Sequence, residues 1–234
     1  MAQIMFETFF VCELYFLKKP ILSCLYNNGI VIDSGEFQTD FVPIFNWFVL
    51  PYACMKLNLG GKDLDKYMKE LLTKSGDIYS ISVNNEISKD IKEKACFYSN
   101  KDYNVEPFDY ELPDGNHIIL KEERIKVPQA LLDPALIGKE GNIFQCYKDT
   151  IKKCDVDIQS EIKDKIIISG GNMKFKNIFS EIRDRLGYNT KTNIDNDNDK
   201  YYLIDFVFKQ VNNICITREE YEEYYTNVIH RKCF

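Results

Sequence analysis

The sequence is poor in the residues that build metal centres and nucleic-acid-binding surfaces. It has only two histidines, and its eight cysteines contain no Cys-x-x-Cys pair and no cluster with a histidine at a metal-ligand spacing. Thirty basic residues against 36 acidic ones give a net charge of -6. We therefore expect no nucleic-acid partner, and any anion must be bound locally by a few groups. The cysteines are typical of thiols kept in a reducing cytosol.

Long uncharged apolar runs are also missing, and no run reaches transmembrane length without a charge. Residues 1–17 are apolar enough to suggest a signal peptide, but they contain Glu7 and Glu13, lack a basic start, and are followed by Lys18 and Lys19. A membrane anchor and a buried helix are the two interpretations. The charges favour the buried helix, so we expect no membrane partner.

The sequence has enough apolar residues, at 45%, to bury a full core in one large or two modest domains. Helical spacing and short β-branched runs alternate along it, which predicts an α/β chain. Residues 1–28 look helical with a break at Pro20, and Tyr110–Val127 looks like a hairpin around Pro113-Asp114-Gly115. Apolar spacing predicts further helices after Asp63, from Asn84 or Asn85, over 143–154 and over 178–186, and a buried strand over 166–168.

The stretch Ile30–Val42 organises the rest of the chain. It joins two strand-like runs through a turn at Ser34-Gly35. Gly35 lets backbone amides converge on an anion, and Asp33 at the strand end can hold the water shell of Mg²⁺. The alternative is a turn with no ligand, which is the commoner role of such residues between two strands.

Two further sequence patterns are compatible with ligand binding. Lys89, Lys92 and Glu93 stand at i, i+3 and i+4, so two cations and a carboxylate can meet one ligand. The plain alternative is a solvated charged helix face. Gly170 and Gly171 follow the predicted strand and precede a helix, where a phosphate or sugar can approach backbone amides, although two adjacent glycines are a weak signal.

Short segments along nearly the whole chain resemble the actin family, in the order in which that family has them. They are Ala2–Phe9, the hairpin through Val42-Pro43-Ile44, Leu57–Leu64, Lys89–Lys94 with Cys96, Tyr110–Gly115, Lys153–Ile158, Ser169-Gly170-Gly171 and Val228–Phe234. The resemblance implies an actin-like ATPase fold of the ribonuclease H-like kind. It also implies that only the inner half is present, without the first phosphate loop and the outer small subdomain.

This resemblance divides the chain into four parts. They are a remnant of the first large subdomain at 1–28, the inner large subdomain with the phosphate hairpin at 29–59 and 140–199, an inserted smaller lobe at 60–139, and a C-terminal tail at 200–234. The region from Pro128 to Gly141 resembles the family's mobile hydrophobic plug, with Lys139 in place of an apolar residue near its tip.

The resemblance also implies a site for ATP or ADP with Mg²⁺, in which Asp33 holds the metal through water. The implied nucleotide-binding residues are Asp33, Ser34, Gly35, Glu36, Phe37, Gln38, Lys89, Lys92, Glu93, Gly170, Gly171, Phe175 and Lys200. The lysines and Glu93 would border the adenosine, and Phe175 and Lys200 would flank the adenine.

The sequence differs from the actin family at the positions on which ATP hydrolysis depends. Glu36 stands where actins have aspartate, Phe37 where they have glycine, and Asp40 where they have the histidine that helps to order the attacking water. The glutamine that positions that water aligns with Lys18 or Lys19. In-line attack needs a positioned water and stabilisation of the phosphoryl charge, so we expect no hydrolysis and no catalytic residue.

Three functions follow from these patterns. The first is an actin-like cytoskeletal protein of the cytoplasm without hydrolysis, which contacts actin, actin-binding proteins or copies of itself. The second is a nucleotide binder or slow ATPase. The third is a decayed actin copy that folds poorly, because the tail would expose an apolar helix face with no sheet to cover it.

Overall fold

The computed structural model describes residues 1–16, 19–23, 28–75, 84–100, 105–186, 190–192, 215–225 and 227–232. Strands and helices are mixed along these ranges, which confirms the predicted α/β class. Contacts group the chain into two compact units, one of Met1–Leu25 with Asp195–Phe234 and one of Tyr26–Ile194. The finer division into four subdomains stays a prediction.

The described strands and helices are numbered here in chain order. The strands are β1 (Glu13–Leu14), β2 (Gly29–Ser34), β3 (Thr39–Phe45), β4 (Phe48–Val49), β5 (Met55–Leu57), β6 (Phe108–Glu111), β7 (His117–Leu120), β8 (Ile166–Ser169), β9 (Thr190–Thr192) and β10 (Ile216–Thr217). The helices are α1 (Lys19–Ser23), α2 (Gly61–Ser75), α3 (Asn85–Ala95), α4 (Glu123–Leu132), α5 (Ile143–Lys153), α6 (Val156–Ile162), α7 (Ile178–Leu186), α8 (Arg218–Tyr224) and α9 (Asn227–Lys232).

The main sheet lies in the 26–194 unit and has the order β4-β3-β2-β8-β9, with β5 also paired to β3. Strand β2 runs antiparallel to β3 and parallel to β8. All six residues of β2 and all four of β8 are buried, as expected for strands covered on both faces. The predicted hairpin and the predicted strand over 166–168 are therefore confirmed.

The helices bury the stripes that their spacing predicted. In α2, Leu64, Met68 and Leu72 are at most 1% exposed and belong to the main apolar cluster. Helix α3 begins after Asn84, whose side chain accepts from the Ile87 amide, and α5 begins after Asn142 in the same way. These polar caps mark both starts in the sequence.

The prediction that Asp63 is the N-cap residue of α2 is wrong, because the helix already begins at Gly61. The Asp63 carboxylate instead accepts from the backbone N–H of Gly60 at 3.0 Å. Asp63 is the third residue of the helix, and its side chain accepts from the N-cap residue Gly60. This is one of the two hydrogen bonds of a capping box.

The helical prediction for residues 1–28 is confirmed in part, and the predicted break at Pro20 is wrong. One π-helical turn covers Ile4–Thr8, strand β1 follows, and α1 begins at Lys19. Pro20 is the second residue of α1, where its missing N–H removes no helical hydrogen bond. Proline therefore marks the start of a helix here and not its end.

The hairpin prediction for Tyr110–Val127 is confirmed for β6 and β7 and wrong beyond them, because α4 begins at Glu123. Pro128 lies inside α4 and is buried. A proline there cannot donate to the carbonyl of Arg124, and that carbonyl instead accepts from the N–H of Phe97 at 3.1 Å. A partner from outside the helix makes the proline tolerable.

The unit of Met1–Leu25 with Asp195–Phe234 has an apolar cluster of its own. Strand β1 pairs antiparallel with β10, and the rings of Phe6 and Tyr221 stack with centroids 4.6 Å apart. Tyr221 is 4% exposed and Val228 2%. The expectation that the tail would leave its apolar face uncovered is wrong for these residues, because the N-terminal segment covers them.

Some sequence predictions fall outside the described residues. These are the implied nucleotide-binding residue Lys200 and Lys18 of the glutamine alignment. None of the described helices has the length and apolar composition needed to cross a bilayer.

Candidate functional site

The candidate site lies where β2 and β8 end side by side. Asp33 and Ser169 are partners in the parallel register, and the Ser169 hydroxyl donates to Asp33 Oδ1 at 3.1 Å. Both residues are 6% exposed. Open α/β sheets bind ligands at the carboxyl ends of parallel strands, which is where these two side chains lie.

Side chains hold the base of the β2–β3 turn closed. The hydroxyls of Ser34 and Thr39 lie 2.9 Å apart, and Thr39 Oγ1 also lies 2.9 Å from the carbonyl oxygen of Leu59. The Asn172 amide donates to Ser34 Oγ at 3.1 Å and to the carbonyl of Gly35 at 2.7 Å. The side chains of Ser34 and Thr39 are therefore engaged by the protein itself.

The tip of the turn packs on the start of α2. The N–H groups of Gly61 and Lys62 donate to the carbonyls of Gly35 and Glu36 at 3.0 and 2.8 Å. A Cβ on Gly60 would lie 2.4 Å from the carbonyl oxygen of Glu36, so only glycine allows this approach. The contact fixes the position of the turn relative to α2.

Three backbone N–H groups at the tip face no protein acceptor. Those of Glu36, Phe37 and Gln38 donate to no group in the described part of the chain, whereas Gly35 donates to the carbonyl of Gln38 at 3.0 Å. Glu36 and Phe37 are exposed. Backbone N–H groups left free at a turn are able to bind an anion where they converge.

The residues of the turn itself carry a net negative charge. Residues 33–40 contain three carboxylates, on Asp33, Glu36 and Asp40, and no lysine or arginine. Asp40 is half-buried and accepts from the Gln38 amide at 2.8 Å. The Phe37 ring is 67% exposed, and the Lys62 ammonium lies 5.4 Å from its centroid.

The three charged residues Lys89, Lys92 and Glu93 of α3 do not share one environment. Lys92 lies on the buried stripe and is 5% exposed in its side chain, whereas Lys89 and Glu93 are exposed. Lys92 Nζ lies 2.7 Å from Asp65 Oδ1 and 3.3 Å from the carbonyl oxygen of Gly61. Among the described residues no donor is aligned with Asp65 Oδ1 as a hydrogen bond, so the contact is an ion pair.

Lys89 instead lines a groove of about 940 Å³ between α2 and the start of α3. Glu36, Lys62, Asp65 and Lys69 are among its other lining residues. Lysines and carboxylates are mixed along its walls. Glu36 of the turn tip and Lys89 of α3 therefore line the same groove.

Gly170 and Phe175 have structural roles, whereas the space around Gly171 is open. Gly170 has a φ of +100°, and a Cβ there would lie 2.2 Å from the carbonyl oxygen of Ser34, so packing alone requires glycine. Gly171 has no atom within 4 Å of such a Cβ. Phe175 is 8% exposed and belongs to the main apolar cluster.

Three residues of this arrangement were not predicted from the sequence. They are Ser169, Asn172 and Asp65. Ser169 and Asn172 flank the predicted glycine pair after the buried strand, and that position was the available signal. Nothing in the sequence pairs Asp65 with Lys92, because the contact joins two helices and depends on how they pack.

The donor set fits a bound anion better than a metal ion. No group of three or more His, Cys, Asp or Glu side chains is placed to hold a metal within the described ranges. Asp33 is a single buried carboxylate, which suits a Mg²⁺ ion held through water and phosphate oxygens and does not suit a protein-only cage. Any Mg²⁺ here would have to arrive with its phosphates.

The fold and the site together define an α/β protein with a ligand-accessible turn at the carboxyl ends of two parallel strands. The family model described as Actin matches residues 1–198. The chain therefore belongs to the actin family. The resemblance drawn from the sequence is confirmed.

Proposed function

We propose that this chain is an actin-family cytoskeletal protein that acts through protein–protein contacts in the cytoplasm and does not hydrolyse ATP. The observation that supports this most directly is the charge of the β2–β3 turn. Asp40 stands where the family has its water-ordering histidine, and residues 33–40 contain two further carboxylates, on Asp33 and Glu36, and no lysine or arginine. Lys56 on β5 is the register partner of Asp40 but lies outside the turn.

This charge opposes hydrolysis for a physical reason. Phosphoryl transfer is catalysed mainly by positioning the attacking water and by stabilising charge on the phosphoryl oxygens. A carboxylate at Asp40 raises the energy of a nearby polyphosphate. The Gln38 side-chain amide donates to Asp40 Oδ1 at 2.8 Å, so this oxygen is not available to order a water molecule.

The buried pair between Lys92 and Asp65 supports the same proposal. By resemblance Lys92 would meet the adenosine, yet its ammonium lies 2.7 Å from a carboxylate and is almost fully buried. Breaking such a pair leaves a buried charge uncompensated. Lys92 therefore contributes to joining α2 and α3, at the expense of contact with a ligand.

Exposed aromatic residues support a role in protein contacts. Phe9 and Phe10 are 66% and 63% exposed, and Phe48 is 70% exposed on β4. Large exposed rings are typical of interaction surfaces, and Phe9 and Phe10 are adjacent in the sequence. We expect actin, an actin-binding protein or a second copy of the chain as the partner.

Phosphate release from ATP tests the loss of hydrolysis. The purified chain, with full-length actin as the positive control, should release no phosphate above the rate of a protein-free blank in Mg²⁺ buffer. The Asp40→His variant should also stay inactive, because one side chain does not restore the charge balance of the turn. A wild-type rate like that of the actin control would overturn the proposal.

Sedimentation with actin filaments tests the role in contacts. The chain should pellet with filaments or change the rate of actin assembly, and Phe9→Ser with Phe10→Ser should weaken that effect. A chain that stays monomeric, remains in the supernatant and leaves assembly unchanged would contradict the proposed partners.

A second candidate function, ATP or ADP binding with Mg²⁺, is favoured by the three N–H groups at the turn tip. When bound, Mg²⁺ would neutralise phosphate charge, and Asp33 would hold it through water. In that case Mg-ATP should raise the unfolding temperature by mass action. Asp33→Ala should abolish that rise, whereas Asp109→Ala on the exposed β6 strand should preserve it.

The same melting curves separate the remaining alternatives. A cooperative transition that Mg-ATP does not shift would support the nucleotide-free interaction protein. A rise that survives Asp33→Ala would reject the assignment of Asp33. The absence of any transition would favour the decayed copy or a chain that needs a partner to fold.

A further inference from the structure

A surface loop of the 26–194 unit is attached to the start of α2 by one lysine. The loop covers residues 133–142, between α4 and α5, and contains the 3₁₀ turn Pro134–Ile137. Leu136 in that turn is 47% exposed, whereas Ile137 is partly buried and packs against the main apolar cluster. The proposed function uses no residue of this loop.

Lys139 makes the polar contacts between the loop and the segment that precedes α2. Its ammonium lies 2.7 Å from Asp63 Oδ2 and donates to the carbonyl of Asn58 at 2.5 Å. The side chains of Lys139 and Asp63 are 33% and 29% exposed. In the part of the chain that the structure describes, no other side chain of 133–142 makes an ion pair or a hydrogen bond beyond the loop and α5.

Two glycines flank Lys139 and shape the loop around it. Gly138 has a φ of +69° and Gly141 a φ of +85°, which glycine adopts without strain. A Cβ on Gly138 would meet no atom within 4 Å, whereas one on Gly141 would lie 3.1 Å from Leu57 Cδ1. The loop therefore packs on Leu57 of β5, which is 5% exposed, and its backbone turns on either side of the lysine.

The Asp63 carboxylate connects this contact to the β2–β3 turn. The oxygen that meets Lys139 also accepts from the N–H of Gly60 at 3.0 Å. Gly60 packs directly on the carbonyl of Glu36, and the N–H of Gly61 donates to the turn at 3.0 Å. Contacts therefore run without a break from Lys139 to the tip of the turn.

We propose that Lys139 is a charge-dependent latch, which closes the 133–142 loop over β5 and, through Asp63, holds the base of the β2–β3 turn in place. When the ion pair opens, the loop loses its polar attachment. Asp63 also loses the cation beside the oxygen that accepts from Gly60. The loop and the base of the turn therefore open together.

Ionic strength controls the latch, because both side chains of the pair are partly exposed. Raising the ionic strength from about 0.1 M to about 1 M shortens the Debye length from about 10 Å to about 3 Å. The attraction between Lys139 and Asp63 weakens over this range, whereas the packing of Gly141 on Leu57 does not depend on charge. The latch therefore opens more often at high salt.

Amide hydrogen exchange of the full-length chain, followed by mass spectrometry, tests the latch. Peptides covering 133–142 and 59–64 report on the loop and on the base of the turn, because the N–H groups of Lys139 and Gly61 each donate to a backbone carbonyl at 3.0 Å. Lys139→Met removes the ion pair and the hydrogen bond to Asn58, so exchange in both peptides should become about threefold to tenfold faster. Lys139→Arg keeps the charge and should exchange at close to the wild-type rate.

Salt and a matched variant separate a latch from ordinary packing. About 1 M NaCl should speed exchange of both peptides in the wild type and leave Lys139→Met unchanged, because that variant has no charge to screen. Lys126→Met removes a lysine that pairs with Glu122 on α4 at 2.6 Å, and both peptides should keep their wild-type rates.

A second variant keeps the test decisive if Lys139→Met does not fold. Asp63→Asn removes the charge and keeps an oxygen for the N–H of Gly60, so it should also speed exchange in both peptides and abolish the response to salt. The proposal is overturned if the folded variant exchanges at the wild-type rate in the loop. It is also overturned if only the loop peptide changes, or if Lys139→Arg exchanges as fast as Lys139→Met.

Discussion

Gly170 leaves no room for a side chain at the junction of β2 and β8. Its φ is +100°, and a Cβ would lie 2.2 Å from the Ser34 carbonyl oxygen. We expect Gly170→Ala to lower the free energy of unfolding by about 2–4 kcal/mol, because strain and a backbone clash add. Urea unfolding at equilibrium measures the change.

The neighbouring Gly171 provides the control. A Cβ there meets no atom within 4 Å. Gly171→Ala should therefore change the unfolding midpoint by much less. Equal losses for the two variants would mean that the close approach at Gly170 is not the cause.

The buried pair of Asp65 and Lys92 makes the second prediction at the scale of single residues. Asp65→Ala should cost about 3–5 kcal/mol of unfolding free energy, because it leaves the buried Lys92 ammonium with only the carbonyl of Gly61, at 3.3 Å, as a polar contact among the described residues. Adding Lys92→Met to Asp65→Ala should recover much of the loss. Chemical denaturation of the single and double variants measures both effects.

The exposed pair on the same helix is the control for Asp65. Lys66 and Glu70 lie 4.0 Å apart with side chains 79% and 49% exposed. Glu70→Ala should change stability by about 0.5 kcal/mol or less. If Asp65→Ala were as mild, the ion pair would not hold α2 to α3.

At the scale of elements, Tyr110 joins the β6–β7 hairpin to α3. Its hydroxyl donates to Asp90, whose carboxylate also lies 2.8 Å from Lys94 Nζ. Burial, with a contribution from Asp90, raises the pKa of Tyr110 from 10.0 to about 12. The folded state therefore holds this proton more tightly than the unfolded state does.

This pKa shift predicts how stability depends on pH. The stabilisation from Tyr110 is complete below pH 10 and is lost as pH rises from 10 to about 12. Cys96 titrates in the same direction, since burial raises its pKa from 9.0 to about 12. The difference between the wild type and Tyr110→Phe isolates Tyr110, and it should shrink across that pH interval in melting curves. A difference that stays constant would contradict the shift.

Local patterns were sufficient to predict much of this fold. Apolar spacing identified α2, α3 and α5, Asn84 marked the start of α3, and β-branched runs around Ser34-Gly35 identified the β2–β3 hairpin. Each signal lies within the element that it predicts. The strands β1 and β10 have two residues each and lie far apart in sequence, so no local pattern indicated their pairing.

The candidate site was less predictable for the same reason. The position of the turn follows from its own residues, but the closure of its base depends on Asn172, which comes from a different strand end. The spacing of Lys89, Lys92 and Glu93 predicts proximity on one helix. It does not say that Lys92 falls on the stripe buried against α2, because that depends on tertiary packing.

At the scale of the whole molecule, each unit has its own apolar cluster. We therefore expect residues 26–194 to unfold cooperatively when produced alone, since the main sheet and its helices lie within them. Thermal unfolding followed by circular dichroism measures this. A fragment without a transition would show that its stability depends on the other unit.

Because Glu13 pairs with Thr217, this part of the fold cannot form until most of the chain has been synthesised. At a synthesis rate of about 5–20 residues per second, the ribosome needs on the order of 10–40 s between these two residues. During that interval Phe6 has been made and Tyr221 has not. The apolar residues of the nascent N-terminal segment therefore stay without their C-terminal partners during synthesis. We expect a chaperone that binds nascent chains to bind this segment.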